Sequence, residues 1–421
     1  MYMDVSNLWS LAMSEILMAL QMLRHSGLLD HQVFDKPDFE SLVDLELAWK
    51  TWKDYESKNR YGRLSPAVVV QASADTDHRL VYSWVIADQE LSLFNNTPPR
   101  LLVTELNTAI PGSDLLWHAK SAEEWSAALA SVYGSGISLP KNPPSLSEVF
   151  QRFMNKEVIN ANADLTPTQL RVLLHPLQGL VCHLHQCLSV LANHENRRQA
   201  RRLLTQMEEI QSLLQQWYKY SMKSTRDNVQ FCPVTCANLV IYHLISLNTL
   251  TCFSDIERTA RGDLTLENYT KTCWARVRSV EEASQIWFHC GQVLRLVRLM
   301  PEANRPQWWA AAVYRVALIM WTTSIVNAEV RSPSSLDDDD SALPDHAFAI
   351  DALVPEDVSI IRYLKYRDGI PMLTKSDGDM LPLDNSTDLI KLCLEVLSEE
   401  TTTMRFTAGI KGRLARLIER L

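Results

Sequence analysis

The chain has 421 residues, of which 46% are hydrophobic and 22% are charged. This balance is typical of folded proteins with a sizeable buried core, and it excludes a chain that is disordered throughout. The formal net charge is −9, from 41 basic and 50 acidic side chains, which disfavours a protein that binds nucleic acid through an overall positive field.

The predicted elements are almost all helices. Apolar residues spaced by three and four predict an amphipathic helix from Trp9 to Leu20, and a second helix begins near Leu42. Prolines and a Pro-Gly pair within 98–114 predict an irregular connection. Later helices are predicted over 167–191, 197–220, 233–251, 265–280, 281–300, 306–328, 355–365, 387–398 and 406–420.

These helices, together with the scarcity of Gly and of alternating β-branched runs, predict an all-α fold. We expect a large multi-helix bundle with irregular connecting loops, in one lobe or two. The segment 197–220 has apolar residues at alternating four- and three-residue steps: Leu203, Met207, Ile210, Leu214 and Trp217. This spacing fits a coiled-coil seam, but a length of about two heptads favours an ordinary core face.

Eight cysteines lie mostly within apolar helical stretches, as expected of reduced thiols in an intracellular protein. Four soft ligands stand close together in Cys182-His183-x-His185-x-Cys187. A zinc finger needs a long spacer between its two ligand pairs, and side chains this close on one helix point in different directions. We therefore predict no metal site in this chain.

Neither an enzyme nor a membrane protein is predicted. The acidic run Asp337–Asp340 lies in a solvated loop with no second metal-binding motif to face it, and no phosphate loop, nucleophile elbow or metalloprotease motif is present. The most apolar run, Ala310–Trp321, is interrupted by Arg315 and is too short to span a bilayer. The segment from Met1 to Leu23 lacks the basic start of a secretory signal.

One set of residues in the first third of the chain carries a family resemblance. In chain order these residues are Trp49, Trp52, Glu56, Arg79, Leu80, Asp88, Ser92, Pro98, Glu105, Trp117 and Trp125. We call them the signature residues. Their order and spacing resemble the central segment of the fungal-specific transcription factor domain, the regulatory region of fungal zinc-finger transcription factors. Later motifs extend the resemblance, which is closest to members with Cys2His2 fingers: Trp308-Trp309, Phe348–Asp351, Arg362-Tyr363-Leu364 and Arg405-Phe406.

The resemblance implies a nuclear regulator of genes transcribed by RNA polymerase II, such as a metabolic or biosynthetic gene set. Its partners would be the transcription machinery or co-regulators, with a second copy in a dimer and a small-molecule effector as further candidates. DNA would be reached only through a zinc-finger module that is missing from this chain, so zinc is expected only in that module. The alternative is a finger-less helical co-regulator or scaffold that acts through protein partners.

The signature residues have two interpretations. Trp49 and Trp52 share one helix face, and a buried indole contributes a large apolar area. Glu56 and Arg79 are candidates for an ion pair that joins two helices. We prefer the packing interpretation; the functional alternative is an effector pocket built from the same residues.

Residues 61–79 interrupt the family pattern. When they are left out, Trp52, Val81 and Val85 fall on one face of a continuous helix. We interpret the segment as translated intron sequence, with a genuine surface loop as the alternative. The predicted organisation is one helical regulatory domain over 1–330, an acidic Ser/Asp loop over 331–346, and a C-terminal helical part of the same region over 347–421.

A basic group precedes the helix predicted over 197–220. It consists of Arg197, Arg198, Arg201 and Arg202. Such a group is a candidate nuclear import signal or phosphate contact. A solvated first turn is the preferred interpretation, because an amphipathic helix follows directly.

Overall fold

The computed structural model describes residues 17–25, 29, 44–58, 78–133, 144–157, 165–191, 197–225, 232–270, 280–330, 346–399 and 405–420. Most of them are helical, which confirms the predicted all-α class. The chain divides into two compact units. The first is formed by Met1–Ser92 and Pro98–Gly179, and the second by Leu93–Thr97 and Leu180–Leu421.

Helices joined by irregular connections form the first unit. Besides the helical residues 17–25, they are α1 (Leu45–Lys58), α2 (His78–Asn95), α3 (Asp114–His118), α4 (Ala122–Tyr133), α5 (Leu146–Met154) and α6 (Pro167–Leu191). The last residues of α2 and of α6 belong to the second unit. A capping box starts α5: the backbone N of Glu148 donates to Ser145 Oγ at 3.2 Å, and the backbone N of Ser145 donates to the Glu148 carboxylate at 2.8 Å.

Three long apolar helices form the centre of the second unit. They are α8 (Pro233–Leu250), α11 (Val280–Leu299) and α12 (Trp309–Val330), and α11 packs against both of the others. Every residue of α8 from Asn238 to Leu250 is buried. The remaining helices of this unit are α7 (Arg197–Thr225), α9 (Phe253–Arg261), α10 (Leu266–Thr270), α13 (Val358–Tyr366), α14 (Ser386–Ser398) and α15 (Arg405–Ile418).

By length and composition, α8 and α12 could each cross a membrane. The apolar run Ala310–Trp321 alone is too short to do so, but it lies within the 22 residues of α12, so the prediction made from that run was wrong on length. In the fold, 78% of the apolar window of α8 and 83% of that of α12 are buried inside the protein, as expected of core helices. Arg315 of α12 is also buried; it donates to the carbonyl O of Leu93 at 2.8 Å and to Oδ1 of Asn248 at 3.0 Å, and lies over the ring of Phe253. Burial lowers the pKa of Arg315 to about 10, so it stays charged at neutral pH.

The predicted amphipathic face of α7 is observed. Met207, Ile210, Leu214 and Trp217 are buried, and α7 packs against α8 within the same unit. This packing is that of the ordinary core face that the sequence favoured.

Some predicted segments lie partly outside the described residues. Of the helix predicted over 265–280, residues 265–270 and Val280 are described; Leu266–Thr270 form α10, and Val280 begins α11. Of the insertion over 61–79, only the backbone of 78 and 79 is described, at the start of α2. Of the acidic loop over 331–346, only His346 is described.

A small sheet in the second unit was not predicted. β1 (Ala347–Ala349) pairs in parallel with β2 (Ile370–Thr374), which pairs antiparallel with β3 (Met380–Pro382). Strands of three to five residues are too short for their alternation to stand out in a sequence. Asp351 ties this sheet to α11, because its carboxylate accepts from the backbone N of Thr374 at 2.9 Å and pairs with Arg298.

Candidate functional site

The signature tryptophans lie in the packing of the first unit. Trp52 of α1 and Trp125 of α4 are buried, and their ring centroids are 5.8 Å apart. Trp49 packs against the same cluster, and Trp117 is half-buried on α3. Tilted aromatic rings at this separation attract one another beyond the effect of area burial. Trp52 and Trp125 are therefore part of the hydrophobic core of the first unit.

Asp88 anchors the connection that follows α2. Its carboxylate accepts from the backbone N of Arg100 at 2.8 Å and from Nε2 of His175 at 3.3 Å. Both Asp88 and His175 are buried, so these bonds are made away from water. Ser92 is buried one turn after Asp88, and Pro98 is exposed at the start of the connection. These residues also act in the architecture of the first unit.

Glu105 forms a bidentate ion pair with Arg24. Its Oε1 accepts from Arg24 Nε at 3.1 Å and its Oε2 from Nη2 at 2.9 Å. The hydrogen bond from Arg24 lowers the pKa of Glu105, although both side chains are about one third exposed and water screens the pair. The side chains of Glu56, Arg79 and Leu80 lie outside the described part of the chain, so the ion pair between the first two stays a prediction.

The Cys/His group on α6 does not converge. Cys182 Sγ donates to the carbonyl O of Thr97 at 3.7 Å, whereas Nε2 of His185 donates to a carbonyl oxygen of α8 at 2.5 Å. His183 and Cys187 pair with each other at 3.8 Å. Among the described residues, no group of three or more His, Cys, Asp or Glu side chains could hold a metal ion.

The basic group at the start of α7 is exposed where it is described. Arg198, Arg201 and Arg202 lie at the surface, and Arg197 begins the helix with its side chain outside the described part. An exposed guanidinium is open to a phosphate, to an import receptor or simply to water. The import signal therefore stays a prediction.

A cavity of about 160 Å³ in the second unit is the candidate site. Three helices supply most of its lining, and the residues on each helix are spaced so that they share one face. They are Gln211, Gln215 and Tyr218 of α7; Tyr242, His243 and Ser246 of α8; Gln285, Phe288 and His289 of α11; and Leu364 of α13 completes the wall. The cavity is thus a product of the packing of α7 and α11 on α8.

Two imidazoles meet at this cavity. Nδ1 of His243 and Nδ1 of His289 lie 2.8 Å apart, which is a hydrogen bond between two rings that are both buried. This bond uses one proton, so one ring donates and the other accepts. Among the described residues, no side chain or backbone group bonds the Nε2 atom of either ring. Both Nε2 atoms are therefore available to a bound molecule.

Aromatic rings surround the imidazoles. The ring of Tyr242 stacks on Trp217 at 5.4 Å and on Tyr218 at 5.3 Å, and meets His243 edge-on at 4.8 Å. Phe288 meets His243 at 5.8 Å, also edge-on. The side walls of the cavity therefore present flat aromatic rings, and its hydrogen-bonding groups come from three glutamines, Ser246, two tyrosines and the two histidines.

The titratable side chains of the cavity are neutral at neutral pH. Burial lowers the pKa of His289 to about 3, and burial together with the neighbouring imidazole and Arg295 lowers the pKa of His243 well below 6.5. Burial likewise raises the pKa of Tyr218 and of Tyr242. Each of these shifts favours the uncharged form. The site is therefore polar but uncharged.

Sequence reasoning missed this cavity. The available signal was a histidine within an apolar stretch of each of two helices, His243 on α8 and His289 on α11. An isolated histidine on an apolar face predicts nothing by itself. The two are 46 residues apart in sequence, and only the packing of α8 on α11 brings them together.

Three fungal proteins that are each named a transcription factor are similar to nearly the whole chain. One from Zymoseptoria tritici is 37% identical over 97% of this chain and 42% of its own length. Transcription factor 1 of Elsinoe fawcettii is 35% identical over 97% of this chain and 41% of its own length. Transcription factor PfmaH of Pestalotiopsis fici is 31% identical over 97% of this chain and 40% of its own length. The chain thus spans about two fifths of the length of these relatives. No protein-family model and no solved structure matches it.

Proposed function

Because the chain is similar to fungal transcription factors over 97% of its length, we propose that it is the regulatory region of a fungal zinc-finger transcription factor. It acts in the nucleus on genes transcribed by RNA polymerase II, such as a metabolic or biosynthetic gene set. The similarity carries the proposal, since it extends over both compact units rather than over one short motif.

The physical character of the chain supports a role in regulation rather than in DNA contact. Its net charge of −9 opposes a general attraction to phosphate. In the proposed arrangement, a separate zinc-finger module selects the DNA site. This helical region then controls activity by binding co-regulators, the transcription machinery, a second copy or a small-molecule effector, and it performs no catalysis.

A reporter assay tests this function. The chain is fused to a heterologous DNA-binding domain and expressed in a fungal host that carries the matching operator upstream of a reporter gene. We expect the fusion to raise or lower reporter transcription relative to the DNA-binding domain alone. A fusion to an unrelated helical domain of similar size is the control. A fusion that is folded and nuclear, yet leaves the reporter unchanged, would contradict the proposal.

DNA binding by the purified chain is a separate test. We expect no sequence-specific shift of genomic fragments in an electrophoretic mobility assay at physiological salt. A shift that is sequence-specific and weakens as salt rises would contradict the assignment of DNA recognition to another module.

The second candidate is a finger-less co-regulator or scaffold, which the negative net charge favours equally. Sequencing the full-length transcript separates the two candidates. Finger codons joined upstream support the transcription factor, whereas a message without them supports the co-regulator. The same sequence decides whether codons 61–79 belong to the mature message, as they would for a surface loop, or to a retained intron.

A further inference from the structure

The cavity between α7, α8 and α11 is lined mainly by polar and aromatic side chains, with two histidines on facing helices. His243 and His289 are 1% and 5% exposed, and two imidazoles in a helical core are unfavourable unless their polar atoms are used. Their Nδ1 atoms satisfy each other at 2.8 Å, whereas their Nε2 atoms have no partner among the described residues. Such departures from the usual core pattern are typical of binding sites.

We propose that this cavity binds one neutral aromatic ring that carries both a hydrogen-bond donor and a hydrogen-bond acceptor. Binding itself depends only on the second unit. That the bound molecule is a transcriptional effector is the one part that rests on the proposed function. A ligand in this position contacts α7, α8 and α11 at once, so it favours the arrangement in which the three helices pack together.

The volume of the cavity limits the size of the ligand. It measures about 160 Å³. An engineered apolar cavity of about 150 Å³ in another protein holds one benzene molecule. One six-membered ring with one or two small substituents therefore fits, and a fused three-ring molecule does not.

The walls of the cavity favour a flat ligand. Phe288 and Tyr242 present rings that already meet the imidazole of His243 edge-on, at 5.8 and 4.8 Å. Aromatic pairs are most stable in edge-to-face or offset arrangements, so an added ring can continue the same pattern. A flexible aliphatic chain of equal volume would lose more conformational entropy on binding.

The two imidazoles determine the hydrogen bonds that the ligand makes. The ring that donates through Nδ1 has a bare Nε2, which accepts a hydrogen bond. The ring that accepts at Nδ1 carries its proton on Nε2, which donates one. The pair of His243 and His289 thus presents one donor and one acceptor in either arrangement of its shared proton. A dihydroxybenzene or a ring amide complements both.

The absence of charge in the lining excludes an ionic ligand. Among the described residues that line the cavity, none carries a carboxylate or an ammonium or guanidinium group. Arg295 is close enough to lower the pKa of His243 but is not among the lining residues, so a benzoate-like anion would lose its hydration without contacting a cation. A metal ion is not the expected ligand either, because among the described lining residues the two imidazoles are the only usual metal ligands, fewer than the three or four protein ligands of a zinc site.

A substitution at the mouth of the cavity can block ligand entry without changing the core. Gln215 lines the cavity and is exposed, so a larger side chain there can close the opening without entering the core. Gln206 is exposed on the same helix. It precedes Gln215 by nine residues, about two and a half helical turns, so it lies on the opposite face of α7. Gln206→Trp is therefore the matched control for Gln215→Trp.

Isothermal titration calorimetry of the purified full chain tests the proposal with three probes: resorcinol, benzene and benzoate. We expect saturable binding of one resorcinol, with a Kd of about 1 mM or below for a ligand of this size. Benzene and benzoate should bind about tenfold more weakly or not at all, since benzene lacks the hydrogen bonds and benzoate is charged. Gln215→Trp should weaken resorcinol binding at least about tenfold, while Gln206→Trp leaves it unchanged.

The double variant His243→Phe/His289→Phe tests the polar contacts, because it removes both partners and leaves neither imidazole unpaired. It should lose the preference for resorcinol over benzene. The proposal is overturned if the wild-type chain shows no saturable resorcinol binding up to about 10 mM, well above the expected Kd. It is also overturned if benzene or benzoate binds as tightly, or if both tryptophan variants behave alike. None of these results changes the expected outcome of the reporter fusion, so the two proposals fail separately.

Discussion

Acidification should destabilise the second unit through its paired imidazoles. Burial holds the pKa of both His243 and His289 below that of a histidine in an unfolded chain, about 6.5. A group whose pKa is lowered by folding takes up its proton more readily when unfolded. Its contribution to stability is therefore fully present above about pH 6.5 and is lost as the pH falls from there towards the folded-state pKa.

The size of this effect follows from the difference between the pKa of the imidazole in the folded chain and in the unfolded chain. At about pH 5, roughly 1.5 units below the unfolded pKa, His289 stays neutral in the fold because its pKa is about 3, and this lowers the free energy of unfolding by about 2 kcal/mol. The lowered pKa of His243 acts in the same direction. In a unit of roughly 150–250 residues, about 2–4 °C in Tm corresponds to each kcal/mol, so the expected loss is at least about 4–8 °C.

Thermal unfolding followed by circular dichroism at about pH 7.5 and about pH 5 measures this loss, in the wild-type chain and in His243→Phe/His289→Phe. Other titrating groups, including His185, whose pKa burial also lowers, are common to both proteins and cancel in the comparison. We expect the wild-type Tm to fall further than that of the double variant by the amount given above. Equal acid shifts in the two proteins would show that the paired imidazoles are not the source of the acid sensitivity.

Two further predictions concern the link between α11 and the small sheet. Asp351→Ala removes the carboxylate that accepts from Arg298 and from the backbone N–H of Thr374 in β2. It should therefore lower the free energy of unfolding, measured by urea denaturation, by about 3 kcal/mol. A change below about 0.5 kcal/mol would contradict this role. Gly291→Ala places a Cβ 2.8 Å from the carbonyl O of Ile350, where overpacking should destabilise by about 1–3 kcal/mol in the same assay. Gly412→Ala on α15, whose added Cβ meets no atom within 4 Å, is the control and should be neutral or stabilising.

Most long helices of the second unit could be predicted closely, because a helix is a local structure, although the short α9 was missed. The apolar runs around α8 and α12 and the three- and four-residue spacing on α7 depend on residues within one or two turns of each other. Predicted boundaries at 281–300 and 387–398 agree with Val280–Leu299 and Ser386–Ser398 to within a residue. The three-stranded sheet could not be predicted, because its pairing joins segments that are separate in the chain.

The location of the candidate site could not be predicted from the sequence for the same reason. The sequence pointed to the signature residues of the first unit, and Trp52, Asp88 and Glu105 have structural partners there. The cavity instead lies in the second unit, around two histidines that no motif singled out. A motif is defined by the order of residues along the chain, whereas a cavity depends on which faces of helices distant in sequence pack together.

The all-α class and the positions of most long helices follow from the amino-acid sequence, because helix hydrogen bonds and apolar periodicity are local. The similarity to fungal transcription factors is likewise a property of the sequence. The packing of the helices was needed to show that His243 and His289 share a proton, that Asp351 joins Arg298 to β2, and that Arg315 is satisfied inside the core. Those contacts join residues dozens to hundreds of positions apart. They form only after the helices have packed.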